Sequence, residues 1–187
     1  NIYISSGVYY GTNMNEGILG NSNEDLYLDV YEPYGDELED RPVVIFMFGG
    51  SFIGGSRTSS DIVELCTRYA KRGYVAVAID YRLTLDLLFL ANETTAYKAA
   101  SKGMHDLKGA IRFLRMNDEL YNDYRIDTSR IYAGGVSAGG ISAVNAAYLD
   151  LDSEIPSFIQ DWIEDNGGLE GNSGNPGYDS NFHGILN

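Results

Sequence analysis

The residues with the clearest chemical potential are Gly135-Val136-Ser137-Ala138-Gly139. They directly follow an apolar strand, Arg130–Gly134, and open an apolar helix. A sharp strand-to-helix turn holds its central serine in a strained backbone conformation, and glycine two residues to either side removes side chains that would clash. Ser137 Oγ then stands over a helix N-terminus, where amide N–H groups and the helix dipole favour negative charge. That is the chemistry of nucleophilic attack on a carbonyl. A second glycine-rich segment, Phe48-Gly49-Gly50-Ser51-Phe52-Ile53-Gly54-Gly55-Ser56, follows the apolar run Val43–Phe48. Its amides, with that of Ala138, can turn inward to hold a tetrahedral oxyanion. It is not a phosphate loop, because Gly54 is followed by Gly55-Ser56 rather than Lys-Ser/Thr. A dinucleotide fingerprint fails too, since no two glycines are separated by a single residue.

The elements around these segments alternate. Val43–Phe48 and Tyr74–Ile79 are continuous apolar runs, as expected of parallel strands covered on both faces. A helix between them has Asp61 at its N-cap, Glu64 at N3 and Gly73 past its end. Ala100, Met104, Leu107, Ile111 and Leu114 mark one face of a second helix over Tyr97–Met116. A third helix runs from Ala138 to Leu149. Earlier, Leu26, Leu28 and Val30 alternate as in a half-buried antiparallel strand, and Asp36–Asp40 reads as an exposed acidic loop. Strand-helix repetition of this kind predicts a doubly wound, mostly parallel α/β sheet. It predicts a single domain in three parts: antiparallel strands within residues 1–40, a core over 41–151, and a long loop with one further strand, Phe182–Leu186, over 152–187.

Composition narrows the function. The 187 residues carry 13 Lys+Arg against 27 Asp+Glu, a net charge of −14, which disfavours nucleic-acid and anionic-membrane partners. The longest strictly apolar run is far short of the ~20 residues a membrane span needs. The single Cys66 lies among Ile62, Val63, Leu65 and Tyr69 and reads as a buried core residue. Neither a metal nor an organic cofactor is expected. The first residues show no basic n-region followed by an apolar h-region, so no signal peptide is expected within them. A removed signal or a shortened chain accounts equally for the start at Asn1, and a secreted or periplasmic setting is favoured over others.

Taken together, these motifs resemble the α/β-hydrolase carboxylesterases, in the branch with an HGGGF-type oxyanion loop that includes bacterial feruloyl and acetyl-xylan esterases. The resemblance is carried by Leu28-Asp29-Val30-Tyr31-x-Pro33, Phe48-Gly49-Gly50-Ser51-Phe52 with Gly55-Ser56, and Asp80-Tyr81-Arg82-Leu83. It continues in Asp106-x-x-x-Ala110-Ile111-Arg112-Phe113-Leu114 and in Arg130–Gly140. It implies Ser137 as nucleophile, oxyanion amides from Gly50, Ser51 and Ala138 with Gly49 shaping the loop, and a carboxylic ester as substrate, such as an acyl group on a polysaccharide. Phe48 and Ser51 depart from the usual His-Gly-Gly-Gly start. Backbone amides do not depend on side-chain identity, so the departure alters the shape of the loop and acyl pocket rather than removing the donors.

The fold's acid and histidine normally follow later strands, in the order Ser, Asp/Glu, His. Only 50 residues follow Ser137. Asp179 and His183 have the right order, but they flank one short strand and cannot occupy two separate strand-end loops. His105 reads as an ordinary, partly exposed helix histidine. The expectation is therefore the N-terminal two-thirds of an esterase, its sheet lacking the last strands and helices, with the triad completed outside this chain. An open sheet edge would then be covered by a C-terminal fragment or a second copy. A non-catalytic hydrolase-fold binding protein is the alternative, and a peptidase or thioesterase a third.

Overall fold

A computed structural model describes residues 1–16, 20–35, 37–84 and 92–186. It has strands β1 (Ile2–Asn15), β2 (Ser22–Pro33), β3 (Arg41–Met47), β4 (Val75–Ile79), β5 (Ile126–Gly135) and β6 (Gly184–Leu186). Its helices are α1 (Ser60–Ala70), α2 (Glu93–Leu120), α3 (Ala138–Tyr148) and α4 (Gln160–Asp165), with a 3-10 turn at Asp152–Glu154. The strands form one sheet in the order β1-β2-β4-β3-β5-β6. β3 to β6 are mutually parallel, while β1 pairs antiparallel with β2 and β2 antiparallel with β4. This is the mostly parallel α/β sheet with an antiparallel start that the alternation predicts.

Why the apolar runs are continuous is now plain. Val43, Val44, Ile45 and Met47 on β3 and all five residues of β4 are buried, so both faces of these central strands are covered. Right-handed crossovers place the covers. The chain leaves β3 toward β4 through α1, then crosses back over β3 to β5 through α2, so α1 and α2 lie on opposite faces. Cys66 is buried in the core, where desolvation pushes its thiol up, away from the thiolate.

Several boundaries move. Ser59 holds the N-cap position of α1 without a side-chain cap bond, and Asp61 sits in the first turn, its carboxylate accepting from the Ile62 amide. α2 begins earlier than Tyr97 because Asn92 caps it, its side chain accepting from Thr95 N. β1, a strand of 14 residues, is less legible, because it forms an edge on which Tyr3, Ile4 and Tyr9 remain exposed. Of the acidic loop, residues 37–40 are exposed and Asp36 lies outside the described residues. The long loop from Ser153 contains α4, whose Ile163 joins Ile155 and Ile159 in a small separate cluster. Those three isoleucines at four-residue spacing were the sequence signal for that packing.

The same segment is tied to α2 by buried polar groups. Arg82 and Asp106 are both fully buried and make a two-point contact, through Arg82 N (2.7 Å) and Nε (3.0 Å), with Ser173 Oγ donating to the same carboxylate. Lys108 Nζ meets Glu170 at 2.9 Å, and Arg112 donates to the carbonyls of Glu170 and Gly174. His105 is fully buried rather than partly exposed: its ring lies parallel to Trp162, and Nε2 meets the Gly168 carbonyl at 2.9 Å. Burial, reinforced by the nearby Arg82 cation, lowers its pKa to about 4.

A buried neutral histidine makes stability pH-dependent. Between pH 6.5 and 4 the unfolded chain binds a proton at His105 that the folded chain does not, so this contribution is complete above pH 6.5 and is lost as pH falls. Relative to His105→Phe, the wild-type unfolding free energy should fall by about 2 kcal/mol more between pH 7 and pH 5, given a folded pKa of about 4. Urea denaturation of both proteins at the two pH values measures this; parallel losses would contradict it.

Candidate functional site

The sheet topology selects one place for a site. Chain connections leave β3 and β5 in opposite directions, so a crevice opens at their carboxyl ends, where open α/β sheets bind ligands. Both glycine-rich segments are located there: Phe48–Gly55 follows β3, and Ser137 follows β5 as the N-cap of α3.

Ser137 has φ 51° and ψ −113°, a conformation in which an L-residue is strained. The strain is imposed by its neighbours. A Cβ on Gly139 would come within 2.4 Å of Met47 O, and one on Gly135 within 2.5 Å of the Gly139 carbonyl carbon. The turn is thus wedged against the end of β3, and Val136 N donates to Met47 O at 3.0 Å. Ser137 is exposed, and its hydroxyl makes no hydrogen bond to any described residue.

The loop after β3 passes directly over this turn. A Cβ on Gly49 would lie 3.0 Å from Val136 O and 3.4 Å from Ser137 Cβ. Gly50, Ser51 and Phe52 then have consecutive positive φ values of 138°, 53° and 61°. This curls the chain so that the Gly50 carbonyl accepts from both Ile53 N (3.0 Å) and Gly54 N (3.2 Å). A side chain at Gly50 would collide with Gly54 O at 2.0 Å, which is why glycine is needed there. The amides of Gly50, Ser51 and Ala138 donate to no group among the described residues.

Tyr81 supports the loop from beneath. Its hydroxyl donates to Phe48 O at 2.8 Å, and its ring stacks on Phe48 at 4.3 Å and meets Phe52 edge-on at 6.3 Å. The far end of the loop is held by Arg57, which bridges Asp29 (2.8 Å) and Asp80. Tyr81 belongs to the Asp80–Leu83 motif, but its contact with Phe48 is tertiary and has no signal in the residue spacing. Phe48, replacing the usual histidine, is itself 1% exposed, so it serves as a packed foundation for the loop.

The order Ser137…Asp179…His183 does not assemble. His183 precedes β6, where its backbone N donates to Ile131 O at 2.7 Å and its Nδ1 accepts from Ile131 N at 3.3 Å. Ile131 pairs with Val43 of β3, level with the first residue of β4. Four residues at ~3.3 Å each separate it from Gly135, with the serine turn further on. Asp179 is also remote, paired with Arg115 at 3.5 Å and with the Asn181 amide. His105 is engaged by Gly168 and Trp162. No described group of three or more His, Cys, Asp and Glu residues is arranged to hold a metal. No described helix is long and apolar enough to cross a membrane.

Fold and site together define an α/β-hydrolase. A family model, BD-FAE, matches residues 28–172, and the chain belongs to that family. Among proteins of known sequence it is similar to acetylcholinesterase of Gallus gallus, 34% identical over 101 residues, covering 54% of this chain and 13% of the relative. It is also similar to pyrethroid hydrolase Ces2a of Mus musculus, 32% identical over 117 residues, covering 61% and 20%. Its fold matches Est2, a thermophilic esterase of Thermogutta terrifontis. The butyrate-bound form gives a TM-score of 0.61 at 24% identity, over 94% of this chain and 52% of that one. The native form gives 0.55 at 28% identity, over 78% and 46%. The chain therefore spans about half of the solved esterase and at most a fifth of either sequence relative.

If neighbouring backbone imposes the Ser137 strain, Ser137→Gly should relieve it. The unfolding free energy is expected to rise by about 1 kcal/mol, the released strain outweighing glycine's extra unfolded-state entropy. A urea titration that shows a decrease would contradict the assignment of strain.

Proposed function

We propose that the chain forms the nucleophile half of a serine carboxylic-ester hydrolase. Ser137 Oγ attacks the ester carbonyl carbon, and its proton passes to a general base as the new C–O bond forms. The carbonyl electron pair moves onto oxygen, where the amides of Gly50, Ser51 and Ala138 hold it, aided by the N-terminus of α3. Collapse of this intermediate breaks the ester C–O bond. The alcohol leaves with the proton, and water then releases the acid from Ser137. The best-fitting substrate class is a short acyl, acetyl or feruloyl ester of a carbohydrate. The observation that carries this reading is the exposed, unbonded Ser137 hydroxyl at φ 51° beside a loop whose Gly50 and Ser51 amides have no partner among the described residues.

Neither His105 nor His183 is positioned to be the base, so the base and its acid would come from a further segment or a second copy. The β6 edge of the described sheet is where such a piece would add a strand. The same observation favours one other reading, a hydrolase fold that binds ligands without turning them over.

A fluorophosphonate probe separates the two. Intact mass should show one adduct, mapped to Ser137 and absent from Ser137→Ala, and p-nitrophenyl acetate turnover should be lost in that variant. With the hydrolysis by imidazole alone subtracted, added imidazole, acting as an external base, should raise both rates in wild type only. Equal labelling of the two proteins would overturn the nucleophile assignment, and no labelling even with imidazole would favour the binding reading.

A further inference from the structure

At the opposite end of the sheet from Ser137 lies a second cleft of about 300 Å³, lined by Tyr3, Glu32, Pro33, Tyr34, Glu37 and Arg125. Its volume is at the small end of the range for small-ligand sites, roughly 300–1,000 Å³. Its position follows from register. Tyr3 on β1 pairs directly with Glu32 on β2, and Tyr31, next to Glu32, pairs with Ala76 near the amino end of β4. Tyr34 continues from β2, and its backbone N donates to Asn1 O at 3.1 Å. The cleft is therefore built from the paired ends of two strands and the turn that follows.

Two features of its lining are unusual. Glu32 is 7% exposed, yet its carboxylate accepts no hydrogen bond among the described residues. Its one described ionic contact, Arg125 Nη2, stands 3.9 Å away, beyond hydrogen-bond reach. Its oxygens are not among the buried unpartnered atoms, so they open on the cleft and can accept hydrogen bonds from a donor seated there. Beside it, Tyr3 and Tyr34 are 55% and 65% exposed, leaving large aromatic surfaces open at the rim.

Charge narrows the ligand. An anion is repelled by Glu32 and Glu37 and by the chain's net charge of −14. A cation meets Arg125 in the same small space. What remains is a neutral molecule with several hydroxyl donors and an apolar face that can lie on an aromatic ring. We propose that this cleft binds a neutral sugar unit, stacked against Tyr34 and Tyr3 with its hydroxyls donating to Glu32. The site takes no part in the reaction at Ser137. It would hold a carbohydrate chain to the protein whether or not that chain carries an ester.

The test is an NMR titration of protein with labelled tyrosine rings, using xylohexaose, cellohexaose and mannohexaose in turn. At least one should shift the Tyr3 and Tyr34 ring signals saturably. Tyr34→Ala should weaken that binding by about tenfold or more. Both tyrosines are exposed, so Tyr3→Ala and Tyr34→Ala are expected to fold normally, as circular dichroism would show. Ser137→Ala should bind as wild type does, which separates this site from the ester-hydrolase reading. Absence of saturable shifts with all three sugars, or binding unchanged in both tyrosine variants, would overturn the proposal. So would shifts produced instead by methylammonium, which would mark the cleft as a cation site.

Discussion

The close backbone approach between the end of β3 and the β5–α3 turn is the constraint on which the site depends. Gly139 packs on Met47 so tightly that a single added carbon would sit 2.4 Å from the Met47 carbonyl oxygen. That contact fixes where α3 can begin, and it forces Ser137 into a positive φ. It also brings the loop after β3 across the same turn, so close that a carbon added to Gly49 would touch Ser137 Cβ. A serine hydroxyl and a set of unbonded amides are therefore juxtaposed by packing alone, before any catalytic partner is considered.

Rigidity around this point is supplied from below and from the side. Phe48, Tyr81 and Phe52 form an aromatic base under the loop, and the Tyr81 hydroxyl occupies the Phe48 carbonyl that would otherwise be left unpaired. Further away, the Arg82–Asp106 pair locks α2 to the segment after β4 and reaches Ser173 through the same carboxylate. Buried ion pairs are costly to disrupt by removing one partner, and this one joins three stretches distant in sequence. Strain of a few kcal/mol at one residue persists only because such surroundings over-determine the turn.

Much of this was legible in the sequence, for identifiable reasons. The parallel strands showed as continuous apolar runs because both faces are covered, and the stripe Ala100–Leu114 showed because one face of α2 packs inward. The serine turn was legible because its glycines are sterically obligatory. Other features left weaker traces. β1 is an exposed edge with little alternation, and α4 is a short helix whose only mark is the spacing of Ile155, Ile159 and Ile163. His105 reads as partly exposed from the sequence because its burial comes from the 162–171 segment, a tertiary contact with no local signature. The distance between His183 and Ser137 is a matter of strand direction: His183 lies just before β6 and beside Ile131 of β5, and the serine follows the carboxyl end of β5.

The central claim is that the Phe48–Gly55 loop and the amino end of α3 form a preorganised oxyanion site for a group bonded to Ser137. A crystal structure of the protein carrying a phosphonate adduct tests this most directly. The expected result is a tetrahedral phosphorus on Ser137 Oγ, with one phosphoryl oxygen about 2.7–3.1 Å from the amides of Gly50, Ser51 and Ala138. An adduct on Ser137 whose phosphoryl oxygen turns to solvent, or an adduct on another residue, would contradict it.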